Sequence, residues 1–231
     1  MSSLKWNCSL VNFITVLKYT SNKKVNDHGR AIICGYVTKE DEETLLYKNV
    51  GNTFCKIELE EEKKKTTLFA GLVESVRIEK QGDTRKAEIT LTGGTKLLEG
   101  IERTRTFQNK TMTYEQILQT VEKNYESSMH LMKVGTGITI GDMIVQYKET
   151  DWTFLKRLAS HFHSCILPYY KDIGIKYSFG LDPGVCIPLS KIRTNSIWYD
   201  QEEFYQKTKQ QVNILYQDEI YFQVTSTEFF D

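Results

Sequence analysis

The chain has 231 residues with 30 basic and 30 acidic side chains, a length that suits one large domain or two small ones around a sizeable core. This balance excludes a global field that would draw the protein onto nucleic acid or an anionic membrane. Thirteen tyrosines and eleven phenylalanines against three prolines speak for an ordered, strand-rich globule and against a disordered chain.

The N-terminal stretch MSSLKWNCSLVNF has no basic region followed by an apolar run and a cleavage site. No window of the sequence approaches the roughly 18 apolar residues of a membrane span. The expectation is synthesis in the cytoplasm with no membrane span. Cys8, Cys34, Cys55, Cys165 and Cys186 are odd in number and irregularly spaced, without a CxxC pair. They read as reduced thiols used as small core residues.

The first hundred residues carry a β pattern. Cys55, Ile57 and Leu59 alternate with Lys56, Glu58 and Glu60, as on a half-buried strand. The mixed charges of residues 60–65 fit a solvated hairpin tip. Val73, Val76 and Ile78 belong to a long returning strand, which Gln81-Gly82-Asp83 breaks. Ala87, Ile89 and Leu91 then face one way, with Lys86, Glu88 and Thr90 facing the other. Strands joined by short polar turns predict an antiparallel meander or small barrel.

Past Gly93-Gly94 the period changes. Thr113 and Gln116 have capping-box spacing. Tyr114, Ile117, Leu118, Val121 and Tyr125 follow as one apolar helix face. The Gly135-Thr136-Gly137 turn leads to a strand on which Met143, Val145 and Tyr147 share a face. A second helix begins at a polar corner, with Thr150 or Asp151 as its N-cap. Trp152, Leu155, Leu158, Ala159 and Phe162 form its buried stripe, and "YYKDIGIKYSF" reads as further strand. Asp182-Pro183-Gly184 is a turn and residues 199–210 a short polar helix. Ile220, Phe222 and Val224 alternate as in a final strand. Because the sequence ends so close to Phe229 and Phe230, the natural polypeptide is expected to continue past Asp231.

The sequence assigns no catalytic residue, no cofactor and no metal. It lacks a nucleophile elbow, a P-loop, a G-x-G-x-x-G and an H-E-x-x-H. On a helix His161 and Cys165 share a face while His163 points away, so the three do not make a ligand set. Glu149 and Asp151 are read as N-cap and salt-bridge partner, with Arg157 in reach of either. Lys and Arg are scattered among acids, without a nucleic-acid-binding motif.

One segment resembles a known family. "VQYKETDWTFLKRLASHF" is similar to the Q-Y-x-E-[ST]-D-x-x-F-x-x-R-L segment of the VgrG spike proteins of type VI secretion and of the late-control protein D of contractile phage tails. Gln146, Tyr147, Glu149, Thr150, Asp151, Phe154, Arg157 and Leu158 fall on that pattern. Upstream, Phe69, Gly71, Val73 and Val76 match the family's F-x-G-x-V-x-x-V strand. Arg105, Phe107, Gln108, Asn109 and Ile117 match its R-x-F-Q-N helix entry. The three motifs stand in the family's order over roughly residues 68–162. After Phe162 the sequence departs from the family's Gly-Ile-Tyr-Tyr-like strand.

The resemblance implies a mainly β fold with helices (α+β), built as two related small β-barrel-like domains. Residues 1–98 would form the first and 99–195 the second, with its two helices. Residues 196–231 would return to complete the first, the family's C-terminal oligonucleotide/oligosaccharide-fold domain and spike being absent. It also implies a homotrimer assembled at the baseplate of a phage tail or injection machine, with delivery outside the cell as one destination. The partners implied are a hexameric tail tube protein, the spike portion and other baseplate proteins, with no nucleic acid. At the polar corner, Glu149 and Arg157 would lock the strand–helix angle while Trp152, Phe154 and Leu158 pack the helix. Two other readings are the non-catalytic front of a larger cell-wall hydrolase or effector-bearing spike protein, and a carbohydrate- or protein-binding module with Trp6, Trp198 and Tyr199 as its platform.

Overall fold

Strict alternation over the first hundred residues builds one antiparallel sheet. The computed structural model describes residues 5–47, 53–62, 64–181, 210–217 and 219–228. Its first strands are β1 (Lys5–Cys8), β2 (Thr15–Lys24), β3 (Arg30–Tyr36), β4 (Phe54–Glu61), β5 (Lys64–Gln81) and β6 (Thr84–Gly93). The charged run is a hairpin tip, flanked by the Glu61–Lys64 pair of β4 and β5. The break at Gly82 is the tight turn between β5 and β6, where Gln81 faces Thr84. Bulges at Leu17 in β2 and at Leu68 and Glu74 in β5 bend these two strands. The inward residues Ile33, Ile57, Phe69, Ala87, Ile89 and Leu91 are fully buried in one apolar core.

The β pattern does not run unbroken through this region. Helix α1 (Lys39–Tyr47) connects β3 to β4. The Thr38 hydroxyl accepts from Asp41 N–H at 3.1 Å, and Glu40, Asp41 and Glu42 fill the first turn, where acids suit the helix dipole. Only Leu45 is buried, so no apolar stripe announces the helix. An Arg85–Glu42 ion pair of 2.5 Å ties it to β6.

The second half gathers around a separate core. Its elements are β7 (Glu102–Phe107), α2 (Tyr114–Glu122), β8 (Ser128–Met132), β9 (Ile144–Thr150), α3 (Asp151–Ser160), β10 (Ile166–Pro168) and β11 (Ile175–Phe179). β7 and β9 form an antiparallel ribbon. β11 lies between β10, antiparallel, and β8, parallel. Both helices pack their apolar faces inward between these small sheets, burying Ile117, Leu118, Trp152, Phe154, Leu155 and Leu158. The Thr113–Gln116 capping box forms, with both reciprocal hydrogen bonds present.

One sequence expectation needs correction here. Helix α2 stops at Glu122, so Tyr125 lies beyond it and is not part of its face. On β9 the buried side is Ile144 and Gln146, whereas Met143 and Tyr147 are 58% and 66% exposed. Alternation gives which residues share a face; it does not say which face is inside when one side carries a buried glutamine.

Strand β12 (Gln210–Gln217) pairs with β13 (Glu219–Glu228), and β13 pairs with β2. The large sheet therefore runs β1-β4-β5-β6-β3-β2-β13-β12. The Asp182-Pro183-Gly184 turn, the polar helix expected over 199–210 up to β12, Cys186, Trp198, Tyr199, Phe229 and Phe230 lie outside the described residues. Trp6 packs against the first core, 5.4 Å from the Tyr19 ring.

Candidate functional site

The polar corner is a joint assembled from several elements. The Thr150 hydroxyl, not Asp151, caps α3 by accepting from Thr153 N–H at 3.2 Å. Asp151 is instead the first residue of the helix and fully buried. Its Oδ1 accepts from Arg105 Nη1 at 2.5 Å and Gln146 Nε2 at 2.8 Å, and its Oδ2 from the Tyr125 hydroxyl at 2.7 Å. Arg103 Nε stands 3.2 Å from Oδ2, an ion-pair distance at an angle poor for a hydrogen bond. One carboxylate thus joins β7, β9, α3 and the segment after α2.

Electrostatics fit that role. Burial pushes the Asp151 carboxyl up, but hydrogen bonds from Arg105, Gln146 and Tyr125 outweigh it and hold the group below its ordinary range. Tyr125, buried and bonded to the carboxylate, is pushed up to about 12. Neither shift brings its group towards neutral pH, which fits a cluster that holds structure.

A second lock lies beside the first. Arg157 pairs with Glu149, donates to the Val145 carbonyl at 2.7 Å, and covers the Phe154 ring at 5.2 Å. Phe154 in turn stacks on Phe107 at 5.7 Å. Strand β9 and helix α3 therefore meet at an angle fixed by an ion pair and a backbone contact, and the aromatic pair ties α3 to β7.

The joint continues into the first sheet. His28, in the β2–β3 connection, packs its ring 4.6 Å from Trp152, and its Nδ1 lies 2.9 Å from Thr95 Oγ1. Its Nε2 is 2.9 Å from Glu99, again off the line of a straight hydrogen bond. From the other side, Tyr170 crosses into the first core and stacks on Phe69 at 5.1 Å. Its hydroxyl donates to the Asp27 carbonyl at 3.3 Å, and its carbonyl accepts from Ala70 N–H at 2.6 Å. Glycine is needed here: a Cβ on Gly93 would sit 1.9 Å from the His28 carbonyl oxygen, and one on Gly71 2.3 Å from that of Thr92. A hollow of about 310 Å³ opens beside His28. Its cations Lys24, Arg30 and Lys96 are paired with Asp27, Glu74 and Glu99, so it is a set of closed ion pairs and not a free anion site.

The family enters on this geometry. A model of the family described as phage tail baseplate hub (GPD) matches residues 36–162, more than half of the chain. The chain belongs to that family. The hub fold is found in solved structures of low identity. A 43 kDa tail protein of prophage MuSo2 from Shewanella oneidensis is 12% identical, with TM-score 0.54 over 77% of this chain and 53% of that one. An E. coli protein described as a component of the type VI secretion system is 16% identical, with TM-score 0.55 over 88% and 58%. A tail protein from Neisseria meningitidis MC58 is 11% identical, with TM-score 0.55 over 76% and 51%. The chain spans between half and three-fifths of the length of these proteins. No curated protein sequence matches it.

The motif residues of the hub chain fall into three groups. Gln146 and Asp151 meet, as do Glu149 with Arg157 and Phe107 with Phe154, while Leu158 is buried beneath them. Phe69, Gly71 and Val73 are remote from that corner, lining the first core. Gln108 and Tyr147 are exposed, and Asn109 builds a local turn by accepting from Thr111 N–H at 3.1 Å. His161 lies 2.9 Å from the Tyr114 hydroxyl, and no group of three or more His, Cys, Asp or Glu among the described residues could hold a metal. No helix among them is long and apolar enough to cross a membrane. Sequence reasoning missed Arg103, Tyr125, His28 and Tyr170 as members of the joint. Each is distant in sequence from its partner; the alternation Arg103, Arg105 on a strand whose far neighbour carries Asp151 was the available signal.

Proposed function

We propose that the chain works mechanically, as the trimeric base that joins a hexameric tail tube to a spike in a contractile tail or injection machine. In this reading residues 1–98 with 196–231 form one hub domain and residues 99–195 the other. Two related domains per chain, taken three times, match the sixfold tube. The machine is assembled from chains made in the cytoplasm, with baseplate proteins and a spike portion as further partners. The chain carries no chemistry of its own; the energy comes from sheath contraction.

One observation supports this reading most. The outer face of the β10-β11-β8 sheet presents Leu167, Tyr169, Met129 and Leu131, 42–56% exposed. They stand in two cross-strand rows, Leu167–Ser178–Leu131 and Tyr169–Lys176–Met129. Exposed apolar side chains flanking Ser178 and Lys176 on both sides suit an interface with another protein.

Light scattering over a concentration series tests the proposal. The expected species is three times the 26.9 kDa chain mass, favoured by concentration. Leu131→Lys should lower that mass towards the single chain while the far-UV spectrum is unchanged. A stable dimer would sink the trimer, and a trimer indifferent to Leu131→Lys would remove this face from it.

A further inference from the structure

Two of the five cysteines come together at the edge of the large sheet. Cys8 lies on β1, the edge strand, and Cys55 on β4 beside it. Cys8 is opposite Ile57, so Cys55 is its diagonal neighbour on the same face of the ladder. Their Sγ atoms are 3.5 Å apart. Backbone is fixed right beside them, where Ser9 N–H donates to the Lys56 carbonyl and Lys56 N–H to the Ser9 hydroxyl, both at 3.0 Å. Bonding the two sulfurs requires closing by about 1.5 Å, within reach of side-chain rotation.

We propose that Cys8 and Cys55 are a redox site: a dithiol that closes to a disulfide and clips β1, with the N-terminal end of the chain, onto β4. The reactants differ in access. Cys8 is half-buried and Cys55 fully buried, so a small-molecule disulfide meets Cys8 first. The Cys8 thiolate attacks one sulfur of oxidised glutathione, forming a mixed disulfide and expelling one glutathione thiolate. Cys55 then attacks the Cys8 sulfur, expelling the second glutathione, which takes up the Cys55 proton. Two protein thiols are oxidised and one glutathione disulfide is reduced to two thiols. Cys8 suits the first step, because the hydrogen bond with Cys55 lowers its pKa, with the Leu10 and Val11 N–H groups assisting against burial. Cys55, Cys34 and Cys165 are all buried with raised thiols, Cys55 through its bond with Cys8 and burial, so the first attack falls to Cys8.

Such a clip would secure the shortest paired edge of the large sheet. β1 holds to β4 by four residues and, among the described residues, has no strand on its other side. The chemistry is independent of the hub reading. On that reading, the chain would be assembled reduced and clipped after leaving the cytosol, where disulfides persist.

The test treats the full chain with reduced or oxidised glutathione, then alkylates it and measures intact mass and joined peptides. The expected product has lost two hydrogens and links the Cys8 peptide to the Cys55 peptide. Its Tm should rise by about 8 °C over the reduced chain, since the bridge closes a loop of 47 residues' separation. Cys8→Ser, a half-exposed replacement, should show neither product nor shift. A stable mixed disulfide on Cys8, a bridge to any other cysteine, unreacted thiols, or a bridge that leaves Tm unchanged would each overturn the clip.

Discussion

The two sheet systems are held by different means. In the large sheet, β4-β5-β6 are consecutive hairpin neighbours and every pairing is antiparallel. Its core is apolar, and its register follows alternation except where bulges in β2 and β5 shift it. The smaller system has short strands paired across long separations: β7 with β9, and β8 in parallel with β11. Ladders this short specify little by themselves. There the buried carboxylate of Asp151 ties the elements together, its partners coming from β7, β9 and Tyr125 while it sits on α3. A long ladder orders itself, whereas a set of fragments needs a polar pin.

The strongest way to break this contrast is to remove the pin. Asp151→Ala leaves Arg103 and Arg105 facing each other without their anion, and should cost about 3–5 kcal/mol in urea denaturation. A loss below about 1 kcal/mol would mean that packing alone orders the second system. The acid limb gives the sign. Asp151 has a folded pKa below its unfolded one, so its stabilisation is full above about pH 4 and is lost as pH falls through the folded value. The gap between the wild type and Asp151→Asn should narrow only there.

Next in size is the seam. Tyr170→Ala empties a slot in the first core from a residue of the second half, and should cost about 3 kcal/mol. If the two systems are stabilised independently, the variant should also unfold in two steps, seen as non-coincident near- and far-UV transitions. A single transition would mean that the His28–Trp152 contact suffices to couple them. Tyr170→Phe, losing only the bond to the Asp27 carbonyl, should cost about 1 kcal/mol.

Legibility in the sequence followed the same contrast. The hairpins of β4, β5 and β6 and the inward Ala87, Ile89 and Leu91 could be read directly, because their pattern is local. So could the capped start of α2 and the Glu149–Arg157 lock, whose residues lie within two helical turns. Helix α1 was hidden by its charge and lack of an apolar stripe. The sequence leaves Thr150 and Asp151 open as the cap and does not show the burial of Asp151, because its partners Arg103, Arg105 and Tyr125 stand far away in the chain. Long-range satisfaction of a buried charge leaves no periodic trace.

The smallest expected effect sharpens the comparison at the point where the systems touch. His28 is buried against Trp152 and faces Glu99, Lys96, Asp27 and Thr95. Burial lowers its pKa, and Glu99 offsets part of that, so the net change is modest. Between the folded value and the unfolded value of about 6.5, the unfolded chain binds a proton that the folded chain refuses. Stability should therefore fall as pH drops from about 7 through that window. His161, lowered by burial and then Arg157, slopes the same way, so the quantity to measure is the difference from His28→Gln. If His28 couples the two systems while neutral, the wild type should lose more stability on acidification than the variant. Equal slopes would place the coupling in Tyr170 alone, and a wild type that gains stability would mean that the charged His28–Glu99 pair, not the neutral ring, holds the seam.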